Sequence, residues 1–258
     1  MISILSKVLS SINGIITAVR FLTILPLPGK GKVDSKGFGQ SMSYFPLVGL
    51  LIGFLLSLVH IVLAKYISSL LISVIIVGAW TRITGALHME AFVDAADGFS
   101  AGPDRKRILS VMKDPNCGSK GVVALVFLII FKIVLLNDIP LNLIFPCLLL
   151  VPAISRWSMV VIAAFSNYAR KEGGLGRSFV ENVGITEFFI STLLLVLSGI
   201  LILELQFFIV VIAPILFIII SFLFLKNRIG GVTGDILGAL NEIVEVIGLA
   251  AFLILSLL

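Results

Sequence analysis

"YFPLVGLLIGFLLSLVHIVLA", residues 44–64, runs 21 residues without an Asp, Glu, Lys or Arg. A bilayer's hydrocarbon core is ~30 Å thick and takes ~20 helical residues to cross, so this one stretch is already long enough to span. It lacks the polar/apolar alternation of a barrel strand. In lipid its backbone must therefore bond to itself, as a helix. Six more apolar runs follow, at about 67–87, 121–137, 141–165, 188–203, 207–225 and 236–258. Composition agrees: 59% of the 258 residues are hydrophobic and 13% charged, with a mean hydropathy of +1.19, far from soluble globular usage. The sequence predicts an all-α, polytopic transmembrane bundle of about seven spans, within six to eight, forming a single integral membrane domain over 1–258. An eighth apolar stretch, 8–25, carries Arg20 and ends at Pro26 and Pro28; it either spans or lies in the interface, and no cleavage site marks it as a signal peptide.

Basic residues set the orientation. Loops 26–43, 88–120, 166–187 and 226–235 hold Lys30, Lys32, Lys36, Arg105, Lys106, Arg107, Lys113, Lys120, Arg170, Lys171, Arg177, Lys226 and Arg228, whereas the alternate loops hold only Lys65. By the positive-inside rule the four basic loops face the cytoplasm and the chain is a multi-pass protein of the cell membrane. The net charge of +5 is thereby a topology signal and gives no reason to infer nucleic acid. Cys117 and Cys147 stand far apart and without metal-ligand spacing. Trp80 and Trp157 read as interface anchors.

A topology signal needs Lys and Arg but not acids, yet the same loops hold ten of the 14 acidic residues. Three of them, Glu90, Asp94 and Asp97, sit in "HMEAFVDAADG", 88–98. Residues 80–98 read as one helix continuing out of the second run, and at ~100° per residue the three carboxylates fall on one face. Like charges so spaced destabilise a bare helix and call for a cation. Mg²⁺ binds through one or two carboxylates plus substrate phosphates, and Arg105, Lys113 and Lys120 follow to take the remaining phosphate charge. The alternative is a solvated acidic face. "ARKEGGLGRSF", 169–179, adds a glycine-rich loop between Arg170, Lys171 and Arg177. "RIGGVTGDILGALNEIVEV", 228–246, opens a helix with glycines and carries Asp235, Glu242 and Glu245 on one face. Glu242 falls inside the last span, where an ionisable group is costly. Arg156 and Lys132 also lie within spans, to pair with Glu242, Glu245 or substrate. His60 and His88 read as structural. These residues alone leave open a CDP-alcohol phosphotransferase or membrane prenyltransferase acting on a lipid, and a cation transporter.

Taken together, "FLTILPLP" (21–28), "YFPLVGLLIG" (44–53), "HMEAFVDAADG" (88–98), "DRKRILSVMKDPNCGSKG" (104–121), "ARKEGGLG" (169–176) and "GGVTGDILGALNE" (230–242) resemble the cobalamin synthase family, the adenosylcobinamide-GDP ribazoletransferases. The resemblance implies a Mg²⁺-dependent membrane transferase that joins adenosylcobinamide-GDP to α-ribazole or its 5′-phosphate and releases GMP. The family's H-x-D-G-x-x-D-x-x-D-G falls on His88, Glu90, Ala91, Asp94, Asp97 and Gly98, with Glu90 in place of Asp and Ala91 in place of Gly. The loop Glu172 to Gly176 has one glycine more than the family's E-G-L-G. On this resemblance Glu90, Asp94, Asp97 and Asp235 are the expected Mg²⁺ ligands and Asp94 or Asp97 the expected general base. Arg105, Lys120, Arg156, Arg170, Glu172, Gly234 and Glu242 are the expected substrate contacts. The expected partners are the two small-molecule substrates and the lipid bilayer, with self-association left open.

Overall fold

A computed structural model describes residues 2–27, 34–172 and 174–258; Pro28, Lys30, Lys32 and Gly173 lie outside them. Among the described residues twelve α-helices follow one another: α1 (Ile2–Leu22), α2 (Ser35–Ser41), α3 (Phe45–Leu63), α4 (Ser69–Ile83), α5 (Leu87–Ser100), α6 (Arg105–Val111), α7 (Ser119–Asp138), α8 (Leu141–Phe165), α9 (Leu175–Asn182), α10 (Ile185–Leu203), α11 (Phe207–Arg228) and α12 (Gly234–Leu255). No strand forms among the described residues; one isolated bridge pairs Tyr168 with Val232.

Each of the seven apolar runs is a helix: α3, α4, α7, α8, α10, α11 and α12. Ile185–Arg228 is continuous apolar helix over 44 residues, about 66 Å if straight, twice what a bilayer takes. It divides at Glu204, whose φ of 51° breaks the helical path. The two halves return to the same end, because Val232 N–H donates to Asn167 O (2.9 Å) and Ala169 N–H to Val232 O (2.8 Å), joining the loop between α8 and α9 to the loop after α11.

α8 and α12 are the buried centre. In α8, 83% of the apolar window is buried within the protein, against 22% in α7, so α7 shows lipid a broad face that includes Phe127 and Phe131. α3 packs closely on α8 because Gly49 and Gly53 let the backbones touch: a Cβ at either would overlap the α8 main chain at Pro152–Ala153 or Leu148–Leu149. Small residues four apart are how helices approach where lipid removes the hydrophobic drive to associate.

The structure departs from the sequence reading in three places. Residues 80–98 are not one helix: the turn Thr84–Ala86, with Gly85 at φ 63° and Ala86 at φ 58°, bends α5 away from α4 by 91°. α4 is therefore only 15 residues long, and α5 runs nearly perpendicular to it. The basic loops also contain helices α2, α6 and α9. Trp80 and Trp157 are buried and do not anchor an interface; the Lys132 ammonium lies 5.1 Å from the Trp80 ring centroid, and Trp157 Nε1–H donates to Thr192 Oγ1 at 2.9 Å.

All four basic loops meet at one end. Arg105 Nη2 donates to Ala169 O (3.0 Å), Lys113 Nζ to Glu172 Oε2 (2.7 Å), Arg228 Nη2 to Gly102 O (3.1 Å) and Arg170 Nη2 to Asp235 Oδ2 (2.5 Å). α2 rests on α9, with Gly39 against Asn182 and Ser178 Oγ 3.3 Å from Ser35 Oγ.

Candidate active site

At that end a cleft of about 290 Å³ opens between two walls. α5 and α12 supply one. Glu90 and Asp94 lie one turn apart on α5 and face the cleft, and Asp235 joins them from the first turn of α12. Thr233 caps α12, its Oγ1 accepting from Ile236 N–H at 3.2 Å. The unpaired N–H groups and positive dipole end of that helix favour an anion here. Gly234 comes so close to Gly176 that a Cβ on Gly176 would lie 2.8 Å from Gly234 N. Backbone, not side chains, therefore forms this edge. The opposite wall is apolar: Phe21 of α1, Phe45 of α3 and Phe179 of α9 line it, with Met42 and Met159.

The three cleft carboxylates feel one another. Burial, then the charges of Asp235, Glu90 and Asp97, push the pKa of Asp94 up to about 6, with Arg170 acting in the opposite direction. The Arg170 guanidinium is the cation at the acids, 2.5 Å from Asp235. Among the described residues no three His, Cys, Asp or Glu side chains are placed to hold a metal ion together. The oxygen donors suit a hard cation that keeps waters and completes its shell with substrate oxygens.

Asp97 faces elsewhere. Gly118 N–H donates to its Oδ2 at 2.7 Å and Gly121 N–H to its Oδ1 at 2.8 Å. Gly118 is the N-cap of α7 and carries no capping side chain, so Asp97, 21 positions earlier, supplies the cap. A Cβ on Gly118 or Gly121 would overlap this carboxylate. The three acids thus do not share one face in use: two point into the cleft and one holds α7 in place.

The other expected contacts spread out. Lys120 Nζ donates to Ser100 O (3.0 Å) and Arg105 is held by Ala169 O, while Glu172 is exposed and paired with Lys113. Arg156 and Glu242 are buried inside the bundle. Lys132 Nζ reaches Glu242 Oε2 at 2.5 Å and also Glu245 Oε2. Arg156 Nη1 pairs with Glu245 Oε1, which accepts from Asn241 Nδ2 at 3.0 Å as well. Two cations and two carboxylates cancel within this network. His88, read from the sequence as structural, is buried but lines the cleft. The phenylalanine wall escaped the sequence reading because nothing distinguishes these rings from lipid-facing ones.

The cobalamin-5-phosphate synthase family pattern matches residues 14–253 of the chain. The adenosylcobinamide-GDP ribazoletransferase of Thermoanaerobacter pseudethanolicus is 36% identical over 251 residues, covering 96% of this chain and all of that protein. The enzyme of that name from Caldanaerobacter subterraneus is 35% identical over 248 residues, with 96% and 100% covered. The one from Syntrophobacter fumaroxidans is 39% identical over 238 residues, with 91% and 96% covered. No solved structure matches the chain.

Proposed function

The chain belongs to the cobalamin-5-phosphate synthase family, and on that premise we propose that it joins adenosylcobinamide-GDP to α-ribazole, or to α-ribazole 5′-phosphate, and releases GMP. The reaction would take place at the cytoplasmic face of the cell membrane, where positive-inside loops gather. The observation that carries this reading is the cleft that Glu90, Asp94 and Asp235 line at the N-terminus of α12, with Arg170 paired to Asp235.

In the proposed step the ribazole 3′-hydroxyl oxygen bonds to the phosphorus that carries cobinamide, and the bond from that phosphorus to the bridging oxygen breaks. GMP leaves with the electron pair. The hydroxyl proton passes to Asp94, whose raised pKa makes it a stronger base than an ordinary surface carboxylate. Arg170 exchanges Asp235 for the phosphate of the departing GMP, and the α12 N-terminus steadies the same charge. Glu90 and Asp235, with Asp94 adjoining, would hold Mg²⁺, which when bound supplies neutralisation of the diphosphate. Arg105 and Lys120 do not line the cleft and would help to draw in an anionic substrate only through the positive charge they add at this end of the bundle. Asp97 acts indirectly, by fixing α7 and by adding its charge to the field at Asp94. Arg156, Glu242 and their partners hold the floor rigid.

The test is the full chain reconstituted in vesicles with both substrates and Mg²⁺. GMP and a cobalamin product in equal amounts are expected. Protein that remains folded but releases no GMP would overturn the reading, and so would GMP release that ignores Asp94→Asn.

A further inference from the structure

The acidic wall has a back. On α5, Glu90 and Asp94 take one face, and Phe92, Ala95, Ala96 and Phe99, spaced by three and four residues, take the face opposite. That apolar stripe meets α11 and α12 around a second hollow of about 340 Å³. Protein interiors carry few voids larger than a water molecule. Here Ala96 of α5 and Ala239 of α12 are too short to fill the space, and Phe99, Phe217 and Phe224 line it beside them. The lining is apolar apart from Ser221, and the hollow is open on its outer side, where Ile220 is 64% and Phe224 50% exposed.

One end of this groove is basic. Phe217, Ser221, Phe224 and Arg228 follow one another along one face of α11 at spacings of four, three and four, and Arg228 Nη2 donates to Gly102 O at 3.1 Å. Lys120 Nζ donates to Ser100 O at 3.0 Å, one residue beyond Phe99, whose ring centroid lies 5.4 Å from that of Phe224. The carbonyl end of α5 attracts both cations but does not neutralise them, and neither has a carboxylate partner among the described residues. An ammonium carries three donors and a guanidinium five, so both keep N–H groups for a further acceptor.

We propose that the groove between α5, α11 and α12 binds an anionic phospholipid, with one acyl chain in the hollow and the phosphate at Arg228 and Lys120. The proposal needs the membrane bundle and not the reaction. Depth fits the chain: from Arg228 to Phe217 the stripe runs about 16 Å, half of a ~30 Å hydrocarbon core. Charge fits the head, because a zwitterionic lipid brings a cation of its own, whereas an anionic one brings net charge to match. A second copy of this chain would cover the apolar hollow but offers its lipid-facing side chains nothing with which to meet the two cations. The seated chain packs against the back of the helix that holds Glu90 and Asp94.

Tryptophan quenching by lipids brominated on their acyl chains tests the site, since Trp80 and Trp157 are buried and a tryptophan in place of Phe224 reports on the groove. In phosphatidylcholine vesicles, brominated phosphatidylglycerol should associate with Phe224→Trp about fivefold more strongly than brominated phosphatidylcholine, the worth of one basic residue beside an anionic lipid. Phe189→Trp is the control, four residues into α10 and 63% exposed, and should see the two lipids alike. Ala96→Leu added to Phe224→Trp fills the hollow and should bring the preference down to that of the control. The wild type, extracted by mild detergent from vesicles of equal phosphatidylglycerol and phosphatidylcholine, should retain one phosphatidylglycerol per chain in native mass spectrometry, a measurement that stands whatever the substitutions do to folding. Retention of phosphatidylcholine as readily would overturn the site, as would equal preference at the two reporters or a preference that survives Ala96→Leu. Quenching of Phe224→Trp by neither lipid would overturn it in favour of a second copy of the chain.

Discussion

Replacing Asp97 by Ala should destabilise the protein through α7, and Gly118→Ser should reverse part of the loss. In the native protein Asp97 accepts two N–H bonds, at 2.7 and 2.8 Å, from the N-cap and third residue of α7. Bonds to a charged acceptor contribute ~1.5–3 kcal/mol each, and loss of an N-cap ~0.5–2 kcal/mol. Since water replaces part of what is lost at this half-buried site, about 2 kcal/mol is expected, roughly a thirtyfold fall in the ratio of folded to unfolded protein. Gly118 has φ −81° and ψ 157°, the extended conformation that N-cap Ser adopts. With the carboxylate gone, a Ser there has room and caps α7 directly, restoring ~1 kcal/mol. With Asp97 present, the same Ser places its Cβ against the carboxylate and destabilises. Gly118→Ser therefore changes sign between the two backgrounds. Thermal unfolding of the four proteins in one detergent, followed by tryptophan fluorescence, measures it. Equal signs in both backgrounds would refute the capping role, and a normal unfolding temperature for Asp97→Ala with a tenfold higher Mg²⁺ requirement would return Asp97 to the metal.

Asp94 carries a pKa raised to about 6 by burial and neighbouring acids, so protons compete with a cation from pH 6 downward. The Mg²⁺ concentration for half-maximal GMP release should be flat above pH 6 and rise up to tenfold per unit below it, a slope that a pH series would measure and that an unchanged requirement at pH 5 would refute. Glu245→Gln weakens the pairing of both Lys132 and Arg156 within the bundle and should cost ~3–5 kcal/mol, read as a lower unfolding temperature with both KM values unchanged in the fraction that folds. Arg170→Gln removes the cation on Asp235. It should raise KM for adenosylcobinamide-GDP tenfold or more while lowering the Mg²⁺ requirement, two shifts of opposite sign that a purely structural residue would not produce in a metal titration.

The spans were legible because the bilayer asks only for length and apolarity, and each of the seven runs became an apolar helix, although α4, at 15 residues, falls short of a full crossing by itself. The meeting of residues 88–98 with Asp235 was legible too, since acids placed in loops on one side have few places to gather. The break before α5 was less so. Gly85 announces a turn, but Ala86 in the left-handed region is imposed by packing, against the preference of its own side chain. The bonds of Asp97 were hidden for a related reason: its periodicity matches Glu90 and Asp94, but its partners are main-chain groups of Gly118 and Gly121, and backbone donors leave no mark on a sequence. The phenylalanine wall draws on α1, α3 and α9, more than 150 residues of chain between Phe21 and Phe179. In a lipid-facing protein one more phenylalanine carries no signal until the fold brings it beside an acid.

Charge accounting separates the two polar regions. Below the cleft, Lys132 and Arg156 balance Glu242 and Glu245 within the network, so that the interior neither needs nor attracts a further ion. A buried group of this kind is tolerated because each charge has its opposite within hydrogen-bond reach. In the cleft three carboxylates gather, Glu90, Asp94 and Asp235, and Arg170 pairs with one of them, Asp235. One divalent cation has the charge to match the other two, and an incoming diphosphate brings further negative charge that Arg170, once released from Asp235, can take up. On the function proposed above, the acids would be incomplete until substrate and cation arrive together, a condition that would keep a site at the edge of a membrane closed to water's reaction and open to a nucleoside's.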